Sequence, residues 1–96
     1  MLLGSAVKKL REDRCPQYTA KTFAKKVGIS NVYLSQLEHN RKKPNIEVLE
    51  RIADLIGVTL PVLFWFSVEE SDVPEAKRPY FKTLKGPVDA MIKEMF

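Results

Sequence analysis

Between Thr19 and Asn45 the chain reads TAKTFAKKVGISNVYLSQLEHNRKKPN, and this stretch constrains the fold more than any other. Phe23, Ala24 and Val27 share one face of a helical period that begins near Ala20, and Leu34 and Leu37 share one face of a second, Asn31 to Glu38. Thr19 and Ser30 are well suited to cap these helices, because a hydroxyl can accept from a first-turn backbone N–H. Gly28 ends the first helix where the chain needs positive φ, and Ile29 is an apolar plug just after the turn. The spacing therefore predicts two short helices held at a fixed angle. The small side chain of Ala24 lies where they would cross, and a close crossing requires one. Taken alone, Ala24 and Gly28 fit any helical hairpin; their combined spacing is what carries information.

The flanking sequence extends this pattern into an all-α fold. Leu3, Ala6, Val7 and Leu10 predict a first helix from Gly4 to Arg14, with Lys8, Lys9, Arg11 and Glu12 on its outer side and Pro16 as a stop. Asn40 is placed to close the third helix in a left-handed conformation. Pro44 and Asn45 open a fourth helix, in which Ile46, Leu49, Ile52, Ala53 and Ile56 keep helical period up to Gly57. Thr59 is read as the cap of a short fifth helix, with Pro61 at an early position. Residues 1–66 form one predicted domain and residues 67–96 an extension. Within the extension, a short helix from Pro79 to Lys85 is expected to end at Gly86-Pro87. Val88 to Phe96 then forms a separate amphipathic segment.

Composition narrows the classes of function. At 96 residues the chain can bury a core without covalent staples. One cysteine, Cys15, excludes an internal disulfide, and with a single histidine, His39, no four-ligand metal cage can be built from them, so no cofactor or metal is expected. No apolar run reaches the roughly 20 residues of a membrane helix, and the N-terminus lacks the pattern of a secretion signal, so no membrane role and a cytoplasmic location are expected. No nucleophile–base pair or phosphate loop is visible, which argues against an enzyme. No ligand-sensing domain is apparent, so no inducer is implied. Residues 1–66 hold 11 Lys+Arg against 6 Asp+Glu, while residues 67–96 hold 5 against 6. A polyanionic partner therefore suits the first part only.

The stretch resembles the helix-turn-helix domain of lambda-type repressors and Cro, the XRE family. Thr19, Ala24, Gly28, Ile29, Ser30, Leu34, Leu37, Glu38, Pro44, the Asn45-to-Gly57 helix and the helix at Thr59 carry the resemblance, over about residues 3–66. It implies a five-helix domain with a short helical C-terminal extension, double-stranded DNA as partner, and the third helix as the one that enters the major groove. On that reading Asn31 and Gln36 can make paired hydrogen bonds to adenine, Val32 can meet a thymine methyl, and Tyr33 and Ser35 can reach bases or phosphate. Arg41, Lys42 and Lys43 would run beside the DNA backbone, and Thr19 and Lys21 would meet a phosphate at the start of the second helix. His39, near this loop, is read as a phosphate-facing or solvated side chain. Two positions depart from the family: Ala20 stands where many relatives carry glutamine, and Asn40 where glycine is usual.

Relatives of this kind bind palindromes as twofold dimers. Phe64, Trp65, Phe66, Met91, Ile92 and Met95 are the candidate homodimer surface, unless the tail folds back and buries them in its own monomer. The expected function is a sequence-specific, repressor-type transcriptional regulator. The alternative is a protein-binding module, such as the antitoxin of a toxin pair, docking a protein partner on the Trp65 region and the apolar tail.

Overall fold

The computed structural model describes residues 1–96. Six α-helices follow in order: α1 Leu3–Arg14, α2 Ala20–Val27, α3 Asn31–Glu38, α4 Ile46–Ile56, α5 Leu60–Ser67 and α6 Arg78–Met95, with two 3-10 turns, Glu70–Asp72 and Glu75–Lys77, before α6. There are no strands.

The punctuation is that of the sequence. Thr19 Oγ1 accepts from Thr22 N–H (3.1 Å), Ser30 Oγ from Tyr33 N–H (2.9 Å) and Asn45 Oδ1 from Val48 N–H (2.8 Å). Gly28 is left-handed at φ 87°, and the Ile29 N–H reaches back to the Ala24 carbonyl, closing the helix end. Asn40 takes the same role after α3 at φ 59°, with Arg41 N–H bonded to the Gln36 carbonyl (2.8 Å). Thr59 differs from expectation. It has the extended backbone of a cap, but its side chain accepts no hydrogen bond. Pro61 in the first turn removes one of the donors it would have served.

The core is continuous from α1 to α5. Val7, Phe23, Leu37, Ile52 and Leu63 are fully enclosed, with Val27, Leu34, Leu49 and Ala53 packed around them. Helix α1 lies against the end of α3 so closely that a Cβ on Gly4 would stand 1.8 Å from the Leu37 carbonyl oxygen. Glycine is therefore required at position 4 by proximity and not by backbone angle. Ile46 departs from the inner face of α4: it is 56% exposed, and Val48 fills the core position instead. Ile46 is the first residue of the helix and lies ahead of the buried stripe.

Arg11 is the second departure. Although charged, it is buried, and its guanidinium donates to Glu38 from Nε to Oε2 (2.7 Å) and from Nη2 to Oε1 (3.0 Å). It also lies 6.0 Å from the Phe23 ring centroid. This fork ties α1, α2 and the last residue of α3 together. The Glu38 carboxylate holds the Arg11 pKa above its usual value. Cys15 is also buried, its Sγ 3.7 Å from the Leu55 carbonyl, and burial pushes its thiol up, so it stays protonated and poorly nucleophilic.

After the two 3-10 turns, the rest of the extension is one helix, not two. Helix α6 runs through Gly86 and Pro87, although Pro87 has no N–H for the Thr83 carbonyl one turn earlier. Tertiary contacts outweigh that loss. Trp65 Nε1 donates to Asp89 Oδ1 (2.7 Å), Trp65 packs on Phe81 at 6.0 Å between centroids, and Ile92 enters the core at 6% exposure with Val88 beside it. The tail therefore folds back on its own domain. Ile92 leaves the candidate dimer surface, because its side chain is already enclosed within the monomer. Phe64, Trp65 and Phe66 are half-buried, and Lys85 sits 6.0 Å over the Phe66 ring.

Candidate nucleic-acid interface

Burial divides α3 into two sides. Leu34, Leu37 and Glu38 face inward, and Leu34 and Leu37 are at most 1% exposed. Successive helical residues turn by about 100°, so Asn31, Val32, Ser35, Gln36 and His39 fall together on the opposite side. Asn31, Ser35 and His39 are exposed, Val32 is 68% exposed, and Gln36 is half-buried. Tyr33 is separated from this set: it packs partly against the core at the margin of the face. The outer face carries two amides, a hydroxyl and an apolar group, with no acidic side chain among them. That is the inventory required to hydrogen-bond base edges and touch a thymine methyl.

His39 joins this face at the helix end. Its Nδ1 is 2.7 Å from the Ser35 carbonyl oxygen. A carbonyl only accepts, so Nδ1 carries the hydrogen and Nε2 is left to face outward. Sequence spacing places His39 one and two turns beyond Ser35 and Asn31; reading it as part of the following loop conceals this.

Exposed cations follow α3 and stand on α2. Arg41, Lys42 and Lys43 are exposed, and their side chains make no ion pair within the molecule. Lys21 and Lys25 are exposed one turn apart on α2. At the start of α2, Thr19 Oγ1 is bonded to Thr22 N–H and donates to Thr22 Oγ1 (3.0 Å), leaving the Ala20 and Lys21 amides without intrahelical partners. Ala20 packs partly against the core and presents no polar group there. Ile46, exposed at the start of α4, adds an apolar group beyond the basic loop.

Asn40 links the loop to α1. Its Oδ1 accepts from Gly4 N–H (3.0 Å) and its Nδ2 donates to Ser5 Oγ (3.0 Å). Leu2, at the cap position of α1, offers no side-chain acceptor, and Asn40 supplies one from a distance of 36 residues along the chain. Left-handed tolerance alone makes Asn40 and glycine equivalent; only the tertiary contact separates them.

Comparison with known proteins identifies the family and the fold. The helix-turn-helix family model HTH_3 matches residues 7–63. The ImmF control region 10 kDa protein of Bacillus phage phi105 is 39% identical over 61 residues, spanning 64% of this chain and 66% of that protein. An HTH-type transcriptional regulator of Mycobacterium tuberculosis is 36% identical over 61 residues, again 64% of this chain, but the match spans only 42% of that longer protein. Among solved structures, the clp gene regulator ClgR from C. glutamicum superposes with a TM-score of 0.63 at 27% identity, over 69% of this chain and 82% of that one.

Proposed function

The chain belongs to the helix-turn-helix family of XRE type, and from that premise we propose that it is a sequence-specific, repressor-type regulator of transcription that reads double-stranded DNA with the outer face of α3. The observation that carries the reading is the outward set of exposed Asn31, Val32 and Ser35 with half-buried Gln36, on a helix clamped from behind by Leu34, Leu37 and the Arg11–Glu38 fork. A reading helix must be rigid, because each side chain has to meet a base edge within hydrogen-bond distance. Asn31 and Gln36 are the adenine-reading amides, Val32 the methyl contact and Ser35 a shorter-range donor. Tyr33, at the margin, is better suited to sugar or phosphate than to a base.

Arg41, Lys42, Lys43, Lys21 and the capped start of α2 at Thr19 supply backbone contacts that fix register without reading sequence. With Ala20 in place of the family's glutamine, recognition rests more heavily on α3. The reading is of a binding protein and not of an enzyme, and a cytoplasmic setting suits a DNA partner; no helix is long and apolar enough to cross a membrane.

A homodimer completes the proposal. Tyr80, Leu84, Met91 and Met95 recur at helical spacing along α6 and are exposed, Met91 at 54% and Met95 at 62%. Of the expected surface this stripe keeps Met91 and Met95, adds Tyr80 and Leu84, and leaves out the half-buried Phe64, Trp65 and Phe66 and the enclosed Ile92. Selection of bound duplexes from random DNA tests the whole reading. The expected product is a twofold-symmetric site with half-sites about ten base pairs apart. Failure to enrich any sequence would overturn it. The antitoxin reading, with a protein partner on the α6 stripe, predicts instead a stable hetero-complex.

A further inference from the structure

Helix α6 does not lie flat on the domain. Between it and α1 runs a groove of about 630 Å³, reaching to the end of α5. Its floor is apolar, formed by Leu10, Phe66 and Ile92. Its rim is basic: Lys9 on one wall, Lys85 and Lys93 on the other. None of these residues is among the candidate DNA contacts.

The rim charges are not equally available. Lys85 is paired with Asp89 Oδ2 (3.1 Å), and Asp89 Oδ1 accepts from Trp65 Nε1. Arg14, at the far end, donates to the carbonyls of Ile56 and Phe96. Lys9 and Lys93 line the groove without a hydrogen-bond or ion-pair partner. Two carboxylates also line the groove: Asp89, held by Lys85 and Trp65, and Asp13, one turn beyond Lys9, which has no such partner and opposes an anion. An apolar floor beneath two unpaired ammonium groups complements a molecule with an apolar chain and one negative head. The volume lies within the range of about 300–1,000 Å³ in which proteins enclose small ligands.

We infer that the α1–α6 groove binds a monomeric amphipathic carboxylate, its chain on Leu10, Phe66 and Ile92 and its head between Lys9 and Lys93. The site is independent of DNA reading: it exists because the extension folds back, and it stands or falls apart from the operator. A bound acid would bridge α1 and α6 and so hold the extension against the domain.

Trp65, the one tryptophan of the chain, is bonded to groove residue Asp89 and reports occupancy by fluorescence. The full chain is titrated with decanoate below its micelle concentration, with decanol as the neutral control. Saturable change with decanoate is expected, weakened about tenfold or more in Lys93→Glu and Lys9→Glu and strengthened in Asp13→Asn. All three variants alter exposed side chains, and their thermal melts check that the fold is kept. Equal binding of decanol, indifference to all three substitutions, or a response only above the micelle concentration or only with phosphatidylglycerol vesicles would overturn the inference.

Discussion

At the scale of single residues, the Arg11–Glu38 fork is the most consequential contact that charge patterning conceals. A buried pair compensates its own desolvation only while both partners are present. Glu38→Gln should therefore destabilise the chain by about 3 kcal/mol, leaving Arg11 without its carboxylate in an enclosed site. The paired change Arg11→Met with Glu38→Leu should recover most of that loss. Denaturant unfolding of the single and double variants checks this; additive losses would show that the two groups act separately. Two other residues teach the same point. Gly4 is required by the Leu37 carbonyl, and Asn40 by the amide of Gly4. Both reasons lie more than thirty positions away, so no local window contains them.

At the scale of elements, five helices were legible because their periodicity, caps and stops agree with one another. Val27-Gly28, Ile56-Gly57 and the Ser30 and Asn45 caps locate helix ends within a residue. The outer face of α3 was legible for the same reason, since the buried Leu34 and Leu37 define its opposite. The exception is α6. Gly86-Pro87 reads as a break, and local chemistry supports that reading. What overrides it is the long-range set of Trp65, Asp89, Phe81 and Ile92, whose contributions no propensity records. Pro87→Ala should then stabilise the chain, by an amount on the order of 1–3 kcal/mol, because it restores a hydrogen bond to an already continuous helix and removes a clash. A Tm unchanged or lowered by Pro87→Ala would mean that the helix is interrupted there in solution. The same folding-back removes Ile92 from the surface and moves the candidate dimer stripe to Tyr80, Leu84, Met91 and Met95.

At the scale of the whole molecule, charge and symmetry set what can be measured. If a dimer neutralises about eight phosphates, log affinity should fall with log salt at a slope near −7. A slope near zero would remove Arg41, Lys42 and Lys43 from the contacts. Leu84→Glu and Met91→Glu place like charges along the proposed twofold contact and should convert the dimer to a monomer in sedimentation, with the fold intact. Wild-type chain sedimenting as a monomer at high micromolar concentration would contradict the stripe's role.

We propose a division of labour: α3 reads bases and the 41–43 loop grips the backbone. The decisive measurement is the affinity of the wild type, Gln36→Ala and Lys42→Ala for the selected site and for random DNA. Gln36→Ala should weaken the selected site by about 1–3 kcal/mol and leave random DNA nearly unchanged, while Lys42→Ala should weaken both alike. Equal losses on both DNAs for both variants would show that α3 and the loop do not divide the work.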